Sequence, residues 1–362
     1  MDDADREFDE LAALTGALLG ALEALAFIGR RLNPPDLPAL LAAVGAPEAG
    51  LAEHLQRAGG WQGPVAALRG PLEEAGQAVV SGFEALRAGV AAGDAREAFK
   101  ALRHGPQALE ALYPLAGLLP PVNRFFLEPG VRGDPRRQAR FNAPAPHTGV
   151  MHAGGEPGAR GAFSLYVPEY YAADRAWPLV VALHGGSGNG RAFLWSWLRA
   201  ARSHGAIVVA PTALGQTWAL SGPDLDTPNL AHIVSQIGAR WNLDPGRLLL
   251  TGMSDGGTFS YVSGLEPGSP FTHLAPVAAA FHPMLAQMAD ADRLRGLPIH
   301  VAHGALDWMF QVEMARDAVR ALEGAGAEVA YREIADLAHT YPVEMSAEIL
   351  EWLELRPRPA RG

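Results

Sequence analysis

Residues 247–257 read RLLLTGMSDGG. Residues 247–251 form a short apolar run, which predicts a strand. Residues 252–256 form a G-x-S-x-G, and a helical pattern follows from about Gly257. A serine on a tight turn between a strand and a helix presents its oxygen clear of the sheet. The stretch therefore predicts Ser254 as a nucleophile, against the alternative of a glycine-rich helix start.

The residues on either side of this stretch predict an α/β fold. From residue 161 onward, short apolar runs alternate with helical patterns. Strands are expected at 162–167, 179–183, 206–210, 247–251, 275–280, 299–302 and 329–333. Unbroken apolar runs are typical of strands buried on both faces, and their alternation with helices predicts a mostly parallel sheet with helices on both sides.

The first 128 residues have a different character, because they are rich in Ala, Leu and Glu and contain no strand-like run. Helices are expected at about 5–31, 36–44, 47–58, 71–92 and 94–118. The predicted division is a helical N-terminal domain (1–128), a Pro/Gly-rich linker (129–160), a catalytic domain (161–355) and a flexible tail (356–362). The N-terminal helices are candidates for capping the pocket or for forming a homo-oligomer.

Residues 183–190 read LHGGSGNG and directly follow a predicted strand. The N–H groups of Gly185 and Gly186 could face a developing oxyanion, with the N–H of Asp255 as a second donor. The Asp255 side chain is expected to point away from the nucleophile. A phosphate loop is disfavoured because Arg191 and Ala192 stand where Lys and Ser/Thr are needed, and a dinucleotide fingerprint fails because position 191 is not glycine.

An acid and a histidine follow the serine in the order that a triad on this kind of sheet requires. Asp307 comes just after one predicted strand and His339 just after the next. The carboxyl ends of parallel strands meet at one rim, so both loops should lie beside Ser254. His339 would be the base and Asp307 the group that orients it. Asp336 is the weaker alternative for the acid.

Further candidate substrate contacts lie in the same rim loops. They are Ser187, Trp218, His282 and Trp308. For His282 a structural role is an equally good explanation, and for the two tryptophans packing is. A zinc site is not predicted, because there is no HExxH and the histidines do not cluster along the chain.

Composition and charge narrow the function classes. The formal charge is 29 minus 39, or −10, and the basic residues are scattered, which argues against nucleic-acid binding. The absence of cysteine excludes disulfides and thiolate chemistry. The acidic N-terminus is unlike a signal peptide, so a cytoplasmic location is expected. The apolar spacing within 5–31 predicts an amphipathic helix and no stable membrane insertion.

Together these motifs resemble those of α/β-hydrolases of the polyhydroxyalkanoate-depolymerase, feruloyl-esterase and phospholipase/carboxylesterase group. The similar pieces are LYVP at 165–168, HGG at 184–186, WNLDPGR at 241–247 with the serine motif behind it, and the segments of Asp307 and His339. The resemblance implies an α/β-hydrolase fold and a Ser-His-Asp esterase that acts on a small-molecule ester without cofactor or metal. Residues before 163 have no counterpart in that group.

Three functions stay open on the sequence alone. The context of the serine motif favours a carboxylic ester hydrolase that works through an acyl-enzyme. The same triad also cleaves amides, so a serine peptidase or acylaminoacyl hydrolase is the alternative. A non-catalytic binding protein is the third, because a fold by itself does not establish an activity.

Overall fold

The computed structural model describes residues 3–133 and 145–356 of the chain. The chain divides into two compact units, Met1–Arg132 and Gly133–Gly362. Residues 134–144 of the predicted linker and 357–362 of the predicted tail lie outside the described residues.

The first unit is helical, which confirms the prediction of an all-helical N-terminal region. Its helices are α1 (Asp3–Arg31), α2 (Leu37–Val44), α3 (Pro47–Ala58), α4 (Gly63–Ala66), α5 (Arg69–Ala92), α6 (Ala95–Ala101), α7 (His104–Leu112) and α8 (Pro120–Phe125). The predicted start at Asp94 is confirmed, since its carboxylate accepts hydrogen bonds from the N–H groups of Arg96 and Glu97. The predicted helix over 94–118 is wrong. It breaks into α6 and α7, because Pro106 has no N–H and suits the first turn of a new helix.

Helix α1 is the central element of this unit. Leu14, Leu18 and Ile28 on its apolar face are fully buried. Its polar face is also used, since Glu10 accepts a hydrogen bond from the indole of Trp61 at 2.9 Å. Among the described residues, α1 is the one helix whose length and composition would allow it to cross a membrane, and 44% of its most apolar window is buried inside the fold. A core helix of a globular domain meets the same criteria.

The second unit is built on an eight-stranded sheet with the order β1-β2-β4-β3-β5-β6-β7-β8. The strands are β1 (Gly149–Ala153), β2 (Phe163–Val167), β3 (Trp177–Leu183), β4 (Ile207–Pro211), β5 (Leu243–Met253), β6 (His273–Val277), β7 (Pro298–Gly304) and β8 (Glu328–Ile334). Strand β2 runs antiparallel to its neighbours, and the strands from β4 to β8 pair in parallel. This arrangement confirms the predicted fold class.

Helices connect the strands and cover the sheet. They are α9 (Gly190–Phe193), α10 (Trp195–His204), α11 (Asp226–Gly238), α12 (Asp255–Gly264), α13 (Met284–Met288), α14 (Ala291–Leu294), α15 (Val312–Gly324) and α16 (Met345–Leu355). All seven residues of β3 are buried, as its unbroken apolar sequence indicated. The core lies on the two faces of the central strands.

Strand β1 falls inside the stretch predicted to be a linker. It pairs antiparallel with β2, with Val150 opposite Tyr166. Its residues are half-buried or exposed, as is usual for an edge strand, so its sequence carries no apolar run that would reveal it. The catalytic unit therefore includes residues before 161.

Strained backbone collects at one end of this sheet. Among the described residues, four that are not glycine have a positive φ: His147, Ser187, Ser254 and Ala278. The last three lie in the segments that follow β3, β5 and β6. Such conformations cost free energy and gather where a site requires them. This strain indicates a functional site at the carboxyl ends of the parallel strands.

Candidate active site

Ser254 occupies a strained turn between β5 and α12, with φ 56° and ψ −121°. Its N–H donates to the carbonyl oxygen of Val277, and its own carbonyl oxygen accepts from the N–H of Thr258. The turn is thus tied both to the neighbouring strand and to the helix that follows. This geometry is the strand–turn–helix that presents a serine oxygen above an α/β sheet.

The glycines of the motif are required by close backbone contacts. A Cβ on Gly252 would overlap the backbone of Gly256, and a Cβ on Gly256 would come within 2.5 Å of the carbonyl oxygen of His184. A Cβ on Gly257 would lie 2.9 Å from the carbonyl oxygen of Val277. Real Cβ atoms do not approach other atoms so closely. The small residues let α12 start directly against the ends of β3 and β6.

The structure brings Ser254, His339 and Asp307 into one hydrogen-bonded line. Nε2 of His339 lies 2.9 Å from Oγ of Ser254, and Nδ1 lies 2.8 Å from Oδ2 of Asp307. All three residues are less than 9% exposed. The alternative acid, Asp336, does not occupy this position, because Asp307 takes the Nδ1 side of the imidazole.

The carboxylate of Asp307 is held on its other side by its own turn. Oδ1 accepts hydrogen bonds from the N–H groups of Met309 at 2.9 Å and Phe310 at 2.8 Å. His303 is buried and its Nε2 donates to the carbonyl oxygen of Phe310, which closes the turn. Oδ2 faces Nδ1 of His339 at 2.8 Å and also lies 3.4 Å from Nε2 of His303. An acceptor there keeps the proton on Nδ1 and leaves Nε2 free to accept a proton from Ser254.

The turn after β3 is fixed by the imidazole of His184. Nε2 of His184 accepts from the N–H of Ala213 at 3.1 Å, so Nδ1 carries the proton and donates to the carbonyl oxygen of Gly185 at 2.7 Å. Burial lowers the pKa of His184 to about 4, so the ring is neutral near pH 7. The N–H of Gly188 binds the same carbonyl oxygen. These bonds fix the peptide plane that joins Gly185 to Gly186.

Backbone donors are available next to the serine. No hydrogen bond uses the N–H groups of Gly185 and Gly186 anywhere in residues 3–133 and 145–356. A Cβ on Gly185 would lie 3.5 Å from Cβ of Ser254, so this turn runs alongside the serine. The N–H of Asp255 is at the first position of α12, where helix geometry provides no acceptor. The two segments therefore offer backbone N–H groups without an acceptor beside Ser254.

The side chain of Asp255 contacts the loop of Thr217 and the turn of Gly186. Its Oδ2 accepts a hydrogen bond from Oγ1 of Thr217 at 2.6 Å. The same oxygen lies against Gly186, where a Cβ would be only 2.7 Å from it. Thr217 belongs to the loop between β4 and α11, and it was missed because a loop hydroxyl has no sequence signal of its own. The carboxylate thus lies along the turn of Gly185 and Gly186.

Of the other residues predicted to contact substrate, one is buried in the core and three are exposed. Trp218 is 2% exposed, donates from Nε1 to the carbonyl oxygen of His184 and stacks on Phe259, so it supports the turn from inside. Of the two roles left open for Trp218, the structure favours packing over a substrate contact. Trp308 is 43% exposed. His282 and Ser187 are exposed too, and Nδ1 of His282 accepts from the N–H of Met284.

No group of three or more His, Cys, Asp or Glu residues that could hold a metal ion occurs within the part of the chain that the structure describes.

The comparisons with known proteins are consistent with this geometry. No protein-family model matches the chain. Over 157 residues it is 30% identical to the bifunctional acetylxylan esterase/xylanase XynS20E of Neocallimastix patriciarum, a match that covers 42% of this chain and 22% of that protein. The chain thus spans about a fifth of the length of this curated relative.

Two solved structures illustrate the structural similarity. A thermostable esterase is 25% identical over 54% of this chain and 59% of its own, with a TM-score of 0.46. A ferulic acid esterase is 16% identical over 57% of this chain and 98% of its own, with a TM-score of 0.48. The strand order and the serine turn after β5 are those of the α/β-hydrolase fold, and part of the sequence is similar to that of a protein with an acetylxylan esterase activity in its name.

Proposed function

We propose that this protein hydrolyses carboxylic esters through an acyl-enzyme on Ser254. The observation that carries the proposal is the line of two hydrogen bonds, 2.9 and 2.8 Å long, that joins Ser254 to Asp307 through His339. A nucleophile, a base and a group that orients the base, within hydrogen-bond reach of one another, form the constellation of acyl transfer.

The proposed reaction proceeds in two halves. Oγ of Ser254 attacks the ester carbonyl carbon while Nε2 of His339 takes its proton. Asp307 stabilises the imidazolium, and the N–H groups of Asp255 and of the Gly185–Gly186 turn bind the oxyanion. The tetrahedral intermediate collapses, the C–O bond to the alcohol breaks, and Nε2 returns the proton to the leaving oxygen. Water then attacks the acyl-enzyme with His339 as base, which releases the acid and restores Ser254.

The similarity to the acetylxylan esterase/xylanase favours an ester over an amide as the proposed substrate. The name of that relative includes an acetylxylan esterase, and the matched 157 residues are 42% of the present chain. The substrate proposed here is therefore a small-molecule carboxylic ester. The acid and alcohol parts are decided by rim loops, to which the exposed Trp308 belongs.

The test is hydrolysis of p-nitrophenyl esters from acetate to palmitate by the full chain, with Ser254→Ala and His339→Ala as matched variants. Loss of a triad residue typically lowers the rate by several decades, so both variants should retain far less than about 10% of the wild-type rate. A higher residual rate in either would contradict the assignment. Folded protein that hydrolyses no ester but cleaves acyl-amino-acid amides would favour the peptidase alternative.

A further inference from the structure

A carboxylate lies where the proposed reaction develops negative charge. Asp255 follows the nucleophile directly, and its Oδ2 touches Gly186, a residue of the proposed oxyanion turn. A negative group at this place opposes the formation of an oxyanion. The side chain is half-buried, so water screens it only in part. Its presence must therefore be offset by another interaction if the site is to work well.

Only one oxygen of this carboxylate is occupied. Oδ2 accepts the hydrogen bond from Thr217, which fixes the plane of the group. Neither a hydrogen bond to Oδ1 nor an ion pair of Asp255 occurs among residues 3–133 and 145–356. A charged acceptor that is oriented and left open is a strong partner for a donor on a ligand.

The conformation of esters indicates where that donor must be. Esters prefer the Z arrangement, in which the first carbon of the alcohol lies on the same side as the carbonyl oxygen. A hydroxyl on the next carbon of the alcohol therefore comes close to the carbonyl oxygen. With that oxygen in the turn of Gly185 and Gly186, such a hydroxyl would lie beside Asp255.

We propose that Asp255 is a specificity-determining residue, whose Oδ1 accepts a hydrogen bond from a vicinal hydroxyl of the substrate alcohol. The inference rests on the proposed ester hydrolysis and names its substrate class: monoesters of vicinal diols and polyols.

The experiment compares four butyrate esters: propyl, 2-hydroxypropyl, 3-hydroxypropyl and choline. Values of kcat/KM are measured for the full-length wild type, Asp255→Ala and Asp255→Asn. The wild type should prefer the 2-hydroxypropyl ester over the propyl ester by about tenfold or more, the usual effect of a hydrogen bond to a charged group. In Asp255→Ala this preference should disappear, so that kcat/KM on the 2-hydroxypropyl ester becomes equal to that on the propyl ester. The 3-hydroxypropyl ester should behave like the propyl ester.

Two controls separate the possible failures. Asp224→Ala removes an exposed carboxylate from the neighbouring loop and should leave the preference intact. Asp255→Asn keeps the shape of the side chain and should weaken the preference even if the alanine variant folds poorly. An active wild type whose preference is the same in both Asp255 variants overturns the inference, and so does a preference for the choline ester that depends on Asp255. A wild type that hydrolyses none of the esters would instead overturn the proposed function itself.

Discussion

Replacing Asp307 by asparagine tests the proposed mechanism at its most constrained point. Oδ1 of Asp307 accepts two backbone N–H groups, from Met309 and Phe310. In Asp307→Asn the amide oxygen must keep that position, because an NH₂ group there would face two donors. The amide nitrogen then faces Nδ1 of His339. The imidazole is forced to accept at Nδ1 and to carry its proton on Nε2, where it can no longer take the proton of Ser254.

The size of the effect follows from these bonds. The productive tautomer returns only if the amide flips, which sacrifices two backbone hydrogen bonds at about 1–3 kcal/mol each. The sum of about 2–6 kcal/mol brackets the loss of about 10⁴ in kcat that is typical when the acid of such a triad becomes an amide. At 1.36 kcal/mol per decade, that loss equals about 5 kcal/mol.

The assay is single-turnover acylation with p-nitrophenyl butyrate at pH 7.5, with circular dichroism to establish that each variant is folded. Asp336→Asn is the matched control, since this aspartate lies three residues before His339 but does not hold its imidazole. We expect the control to retain its rate within about threefold, because both ring nitrogens of His339 bind other residues. A folded Asp307→Asn protein within about tenfold of the wild type, or an equal loss in the control, would refute the reasoning.

Two further predictions concern stability. Gly256→Ala places a Cβ 2.5 Å from the carbonyl oxygen of His184, so calorimetry should show a loss of about 3 kcal/mol or more and a melting temperature of the hydrolase unit about 6–12 °C lower. Gly268→Ala, with nothing within 4 Å of its Cβ, should change little. Burial lowers the pKa of His184 from 6.5 to about 4, so between these values the unfolded chain binds more protons. The neutral ring of His184 therefore contributes about 3 kcal/mol to the free energy of unfolding, fully above pH 6.5 and less as the pH falls to 4. The free energy of unfolding of His184→Asn, measured with denaturant, should depend less on pH than that of the wild type.

The serine turn and the fold could be predicted because their signals are local. The motif at 252–257 follows a strand and precedes a helix, and each of its glycines meets a backbone contact that excludes side chains. The parallel sheet then brings loops that are far apart in sequence to one rim, so the order of Ser254, Asp307 and His339 was informative. Their catalytic roles, like the cap or oligomer role of the N-terminal helices, stay predictions until they are measured.

What the sequence could not predict depends on tertiary contacts. Strand β1 lacks an apolar run because it lies at the edge of the sheet. The sequence places Trp218 in a loop at the rim of the sheet, but in the structure this loop folds inward and buries the side chain. The N–H groups of Leu214 and Ala219 are held by the buried carboxylate of Asp226, and the indole reaches the carbonyl oxygen of His184. No periodicity encodes a loop that is anchored in this way.

The groups proposed for catalysis share one feature, which is that hydrogen bonds within the fold hold each of them before substrate arrives. The carboxylate of Asp307 is held by two N–H groups, and the imidazole of His339 by that carboxylate. The peptide after Gly185 is held by His184 and the N–H of Gly188. Groups fixed in this way need no reorganisation when charge develops, which is how an enzyme stabilises a transition state more than its substrate. Damage to these supports should therefore lower kcat and leave KM nearly unchanged, even where the altered residue, such as His184, never touches the substrate.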